Sequence, residues 1–173
     1  ALTVAFQGKY DNAEPIYRRA LVIRGETLGL RHPDVARSLN SLANVLQSQG
    51  KYDDAEPHYK RALAIREEML GRRHPAVASS LNNLALLLES QSKYDDAEPL
   101  HKRAIAIYEE KLGPRHPDVA SSLNNLANVL KSQGKYDDVE ALYKRALAIR
   151  EETLGPRHPL VASSLNNLAL LLQ

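Results

Sequence analysis

The sequence repeats itself every 42 residues. Lys-Tyr recurs at Tyr10, Tyr52, Tyr94 and Tyr136, and His-Pro at His32, His74, His116 and His158. Roughly 31 of 42 positions are identical between the blocks that start at Pro75 and Pro117, an internal similarity that duplication or deliberate consensus design produces and convergence does not. A unit of this length cannot bury its apolar surface alone, so copies must stack to make a continuous core.

The unit from Pro33 to His74 reads as a helical hairpin. Val35, Leu39, Leu42 and Leu46 are spaced by four, three and four, which puts them on one helix face. Pro33 suits a first helical turn, and Asp34 beside it suits the positive end of the helix dipole. Gln49-Gly50-Lys51 breaks this first helix, helix A. Helix B follows from about Tyr52, with Ala55, Tyr59, Ala62, Leu63 and Leu70 turned inward and a favourable Glu56–Lys60 pair one turn apart. Gly71 ends it as a C′ residue. Small residues at 43, 55 and 62 allow close helix approach, and Val139 in place of the corresponding alanine predicts wider packing in the fourth helix B. Pro15, Pro57 and Pro99 fall inside helix B, where proline removes one backbone hydrogen bond and is expected to kink the helix.

These spacings predict an all-α, right-handed superhelical solenoid of antiparallel helix pairs with about nine helical segments. The expected divisions are a partial helix A over 1–8, units of about 33–74, 75–116 and 117–158, and a terminal unpaired helix A over 159–173, in one array. That last helix is expected to leave Leu165, Leu168 and Leu172 uncovered, which predicts end-to-end self-association. The opening Ala1, where a methionine would start a complete chain, reads as a piece of a longer protein.

Leu42, Ala43, Gly50, Tyr52, Ala55, Tyr59 and Ala62 match the tetratricopeptide repeat pattern. The 42-residue unit with its Leu-Gly-x-x-His-Pro-x-Val-Ala junction resembles the repeat of kinesin light chains, most specifically in the string from Ile65 to Leu84. The resemblance implies a binder of partner proteins, with an extended peptide lying along the helix A face. The groove of kinesin light chains is rich in basic residues, whereas the matching positions here are mostly neutral.

Helix A positions that do not face helix B form columns. Asn40, Asn82, Asn124 and Asn166 make one; Asn44, Leu86, Asn128 and Leu170 make the next. Gln47, Glu89, Lys131 and Gln173 form a third, and Arg37, Ser79, Ser121 and Ser163 a fourth. An amide both donates and accepts, so amides suit the unpaired N–H and C=O groups of a peptide main chain. Asn40, Asn44, Asn82, Leu86, Asn124, Asn128 and Asn166, with Arg37 and Lys131 as groove cations, are therefore the candidate peptide contacts. The alternative for the amides is that they only bridge neighbouring helices, the reading favoured for Asn83, Asn125 and Asn167. Variation at 37, 86, 89 and 131 over a nearly constant core favours a ligand; the near-identity of the units favours a structural spacer or consensus scaffold without one.

Other functions find little support. With 23 basic and 21 acidic residues, the net charge of +2 gives no phosphate-binding surface, and the Lys-Arg pairs at 60–61, 102–103 and 144–145 read as a solvated helix B face. Absent cysteine excludes disulfides and thiolate metal sites. The repeated histidines lie one helix-packing distance apart, about 8–10 Å, too far to share a metal whose bonds are about 2 Å. They read instead as junction residues. Neither a phosphate loop nor a nucleophile motif occurs, and repeated carboxylates offer no singular catalytic pair. The expectation is a protein that is not an enzyme and needs no cofactor. With no secretory signal and no apolar run near 18 residues, it is placed in the cytoplasm.

Overall fold

The computed structural model describes the backbone of residues 2–172 and the side chains of residue 10 and residues 12–172. Among these residues there are eight helices and no strand: α1 (Leu2–Leu28), α2 (Pro33–Ser48), α3 (Tyr52–Leu70), α4 (Pro75–Ser90), α5 (Tyr94–Leu112), α6 (Pro117–Ser132), α7 (Val139–Leu154) and α8 (Pro159–Leu171). Even-numbered helices are the predicted helix A; odd-numbered ones from α3 onward are helix B. The chain falls into two compact units, Ala1–Gln91 and Ser92–Gln173. In the first, α1 packs on α2, α2 on α3 and α3 on α4; in the second, α5 packs on α6, α6 on α7 and α7 on α8.

The apolar stripes fill these interfaces as their spacing requires. Val35, Leu39, Leu42 and Leu46 of α2 are fully buried, as are Ala55 and Ala62 of α3. Each such leucine contributes about 2 kcal/mol relative to exposure, so stacking, more than helix propensity, holds the hairpins. Leu63 is half-buried and Leu70 is exposed, against the expectation that both turn inward, because Leu70 sits in the last turn, beyond the reach of the neighbouring helices.

Two kinds of turn join the helices. From helix B to helix A the chain passes through a glycine such as Gly71, at φ 84 and ψ 150. That region is open essentially to glycine alone. It is not the left-handed helical conformation expected of a C′ residue. The Gly71 N–H closes the helix on the Glu67 carbonyl, and the His74 N–H turns back to the Gly71 carbonyl at 3.1 Å. The histidine then caps the next helix: His32, His74, His116 and His158 each accept the amide two residues on through Nδ1, at 3.1–3.2 Å. This is the junction role expected of the histidines. From helix A to helix B the turn residue is Gly50 or Gly134, at φ 76 and 74, and in the third repeat Ser92 takes the same place at φ 59. A non-glycine residue reaches that left-handed well at a modest cost.

Two expected boundaries differ. The break after the 1–8 stub is absent, since α1 is helical from Leu2 to Leu28. Extending a helix adds a hydrogen bond for each residue fixed, whereas restarting one after a turn needs a new nucleus, and the backbone here continues as one helix. The count is accordingly eight helices, not nine. Ala1 and Gln173 lie outside the described residues. The fourth helix B starts at Val139 instead of near Tyr136, and Tyr136 is exposed. Val139 is fully buried where α3 and α5 have alanine. A cavity of about 500 Å³ lies beside Leu126, Leu130, Ala141 and Leu142, without Val139 in its lining. The prolines do not interrupt α1, α3 or α5.

Charged latches tie successive odd-numbered helices within each unit. Lys51 meets Glu14 at 2.9 Å, and Lys135 meets Glu98 at 2.8 Å. Glu98 also takes Lys102 at 2.6 Å, and the hydrogen bonds from Lys102 and Lys135 hold its carboxyl down to about 2 from an ordinary 4.5. A carboxyl lowered on folding contributes stability that is whole above pH 4.5 and fades as pH falls towards 2. Glu98→Gln is therefore expected to flatten the acid limb of the stability–pH curve over that window, measured by urea denaturation. The two turns predict a second contrast. An added Cβ at Gly113 or Gly134 would meet nothing within 4 Å, so the cost there is backbone strain alone. Gly113→Ala should lower stability by about 1–3 kcal/mol, and Gly134→Ser by about 1–2 kcal/mol.

Candidate functional site

In the first unit, α2 and α4 carry Arg37, Asn40, Asn44, Asn82 and Leu86. Arg37 and Asn44 are exposed, Asn40 and Asn82 half-buried, and Leu86 is 38% exposed. Asn83 donates through Nδ2 to Asn40 Oδ1 at 3.0 Å, so the column proposed for ligand and the one assigned to helix bridging meet in one pair. Asn40 keeps its own amide N–H groups as donors. Arg37 lies 3.1 Å from Asp34 on the same exposed surface, an ion pair worth a few tenths of a kcal/mol.

Asn44 has a second partner that the spacing did not suggest. The fully buried Tyr59 of α3 places its hydroxyl 2.5 Å from Asn44 Oδ1 and 2.8 Å from Gln47 Oε1. One hydroxyl proton is thus shared between two acceptors, and burial lifts the Tyr59 hydroxyl to about 12. The amide N–H groups of Asn44 still point away from this bond, on an exposed residue.

The second unit repeats the arrangement on α6 and α8. Asn167 donates to Asn124 Oδ1 at 2.8 Å. Tyr143 donates to Asn128 Oδ1 at 2.5 Å, and burial raises its hydroxyl too. Asn166 is exposed, and Lys131 sits half-buried in the last turn of α6, the end of the dipole that favours a cation. Leu160, Leu165, Leu170 and Leu172 of α8 are exposed and Leu168 is half-buried.

Sequence reasoning missed the tyrosine anchors, although a signal was available. The pairs Asn44/Tyr59, Leu86/His101 and Asn128/Tyr143 change together at a constant separation. It also missed a buried clamp under the junctions. Arg24 donates to Ser38 Oγ, Arg66 to Ser80 Oγ at 2.7 Å, and Arg150 to Ser164 Oγ at 2.7 Å. Burial lowers the pKa of Arg150. A serine recurring on an otherwise apolar face was the cue. Among the described residues no group of three His, Asp or Glu could hold a metal, and no helix is long and apolar enough to cross a membrane.

Helical hairpins, small-residue contacts and glycine turns of this kind define a class. The tetratricopeptide repeat family model matches residues 1–68, 40–110, 76–152 and 118–173, and the chain belongs to that family. Its repeats are of the kinesin light chain type, and its architecture is an all-α tetratricopeptide solenoid. Among solved structures it is similar to BtubC (BKLC) from P. vanneervenii, with 29% identity and a TM-score of 0.85 over 96% of this chain and 66% of that one. The chain thus spans just under two thirds of BtubC. Two structures of a Podosopora anserina protein, described as a kinesin light chain with nearly identical repeats, match at 26% identity and TM-score 0.81 and, for a single-residue variant of it, at 25% and 0.82. Each covers 98% of this chain and about four fifths of its own. No curated protein is matched by the sequence. Folds of this family are generally protein-interaction scaffolds and typically non-enzymatic.

The tyrosine anchor gives a quantitative expectation. In a double-mutant cycle of Tyr143→Phe with Asn128→Ala, the coupling should be about 0.5–1.5 kcal/mol, read by chemical denaturation. A coupling near zero would mean that the hydroxyl finds water equally well.

Proposed function

We propose that this chain is an adaptor that holds an extended peptide segment of a partner protein along the even-numbered helices of a unit, α2 and α4 or α6 and α8. The observation that carries the reading is a pair of amides in each unit: Asn40 with Asn83, where Asn44 and Leu86 are exposed, and Asn124 with Asn167, where Asn166 is exposed. Each accepting asparagine, Asn40 or Asn124, has its side-chain oxygen satisfied by a neighbouring helix and so has a fixed orientation. Its N–H groups are positioned before a ligand arrives, which reduces the ordering cost of binding. Peptide carbonyls would accept from these amides, Leu86 would receive an apolar side chain, and Arg37 or Lys131 would meet acidic ones. Membership of a family whose folds are generally protein-interaction scaffolds supports a protein as the ligand.

One set of observations favours a second reading, a structural spacer. Tyr59 to Asn44, Tyr143 to Asn128 and both asparagine pairs are internal bonds that brace the hairpins with no ligand present. Self-association is a further proposal, supported by the exposed leucines of α8.

The chain has no tryptophan, so a short peptide containing tryptophan flanked by acidic residues reports its own binding by fluorescence. A saturable shift at micromolar peptide, weakened by about tenfold in Asn82→Ala and in Asn124→Ala, is expected for loss of one or two amide contacts. An unchanged titration in both variants would contradict groove recognition through these amides.

A further inference from the structure

The helix B arginine at Arg61, Arg103 and Arg145 recurs with the repeat, and so does a glutamate on the preceding helix B, at Glu67 and Glu109. In the second unit the two meet, with Arg145 2.5 Å from Glu109. The first unit breaks the pattern. The place of that glutamate on α1 is taken by Gly25. Arg61 is exposed and has no hydrogen bond or ion pair among the described residues.

Two neighbouring positions change in the same direction. Val22 stands where the other repeats have Ala64, Ala106 and Ala148, and Leu30 where they have Arg72, Pro114 and Pro156. Apolar bulk has been gained where an acid has been lost. Val22 is 57% and Leu30 62% exposed, and with Leu21, Gly25, Glu26 and Arg61 they line a cavity of about 490 Å³. That volume lies within the range of about 300–1,000 Å³ typical of ligand pockets. The charges around it are mixed but lean positive. Glu26 shares the rim, Arg18 is already paired with Glu14 at 2.8 Å, and burial together with Arg18 and Arg61 lowers the pKa of His58.

We propose that this notch between α1 and α3 docks a partner segment that carries a carboxylate beside a bulky apolar side chain. The carboxylate takes the place that Glu109 fills for Arg145, and the apolar side chain lies on Leu21, Val22 and Leu30. The Arg145–Glu109 pair fixes the chemistry of the occupant, because it shows a carboxylate on a helix as the group that fits this arginine. Glu26 on the rim disfavours a second acidic group and so limits the segment to one carboxylate at Arg61. The site lies on α1 and α3, apart from the amides of α2 and α4, and stands or falls independently of them.

The test uses the full chain and an acetylated, amidated alanine–glutamine helical peptide with one glutamate and a leucine four residues later. Binding is followed by NMR at Arg61 Nε and at the Val22 and Leu30 methyls. Saturable shifts are expected, with affinity reduced at least about tenfold in Gly25→Glu, in Arg61→Gln, or with glutamine for the peptide's glutamate. Gly25→Glu should fold normally, since an added Cβ meets only the flexible end of Leu30, at 3.1 Å. No shift at millimolar peptide, or unchanged affinity in Gly25→Glu, would overturn the proposal.

Discussion

A turn that only glycine can make sets the geometry of this chain. Between each helix B and the next helix A, the backbone passes through φ of 84–93° with an extended ψ. Within three residues the histidine carries the chain back and caps the new helix through Nδ1. Because the turn is short and its dihedral angles admit little variation, each helix A is delivered onto the preceding helix B in one register. Alanines at the contact then let the backbones approach, and leucines close the core. The arginine–serine clamp satisfies the serine that this close approach buries on α2, α4 and α8, and on α6, where Tyr108 replaces the arginine, Ser122 donates to the Asp118 carbonyl, so the serine costs little.

The same reasoning explains which features could be read in advance. Gly71, His74 and Pro75 are local signals whose meaning is set within a few residues, so helix ends there agree with the sequence. The misplaced boundaries depend on packing. Val139 reads as a conservative change from alanine, yet α7 begins at that residue, three residues later in the repeat than α5. Gly8 belongs to a turn motif, but that motif works only when a full helix A packs behind it. At the candidate site, spacing set the asparagines off the buried stripe of helix A, and none of them is fully buried. It could not show that Asn44 and Asn128 accept from tyrosines, because that bond joins two helices through side-chain rotamers that no periodicity encodes.

Those internal bonds sharpen the functional reading. An amide whose acceptor is fixed by a neighbour is a better donor to a ligand than a freely rotating one, since its orientation is settled beforehand. The cost is versatility: such an array favours ligands that present carbonyls at the repeat spacing. The repeats differ, among other positions, at Arg37, Leu86, Glu89 and Lys131 on helix A and at Gly25, Val22 and Leu30 on α1 and the turn after it. The turn glycine and the capping histidine stay the same in every junction while these positions change, and interaction is the general role of this family.

The central claim is that the asparagine amides of the even-numbered helices hold an extended peptide. It is tested most directly by mapping a bound tryptophan–acidic peptide with amide and side-chain NMR shifts across the whole chain. The account predicts that perturbations concentrate on the asparagine side chains of α2 and α4 or of α6 and α8, with those at Tyr59 and Tyr143 smaller and secondary. Perturbations confined to the exposed residues of α3, α5 and α7 would contradict it.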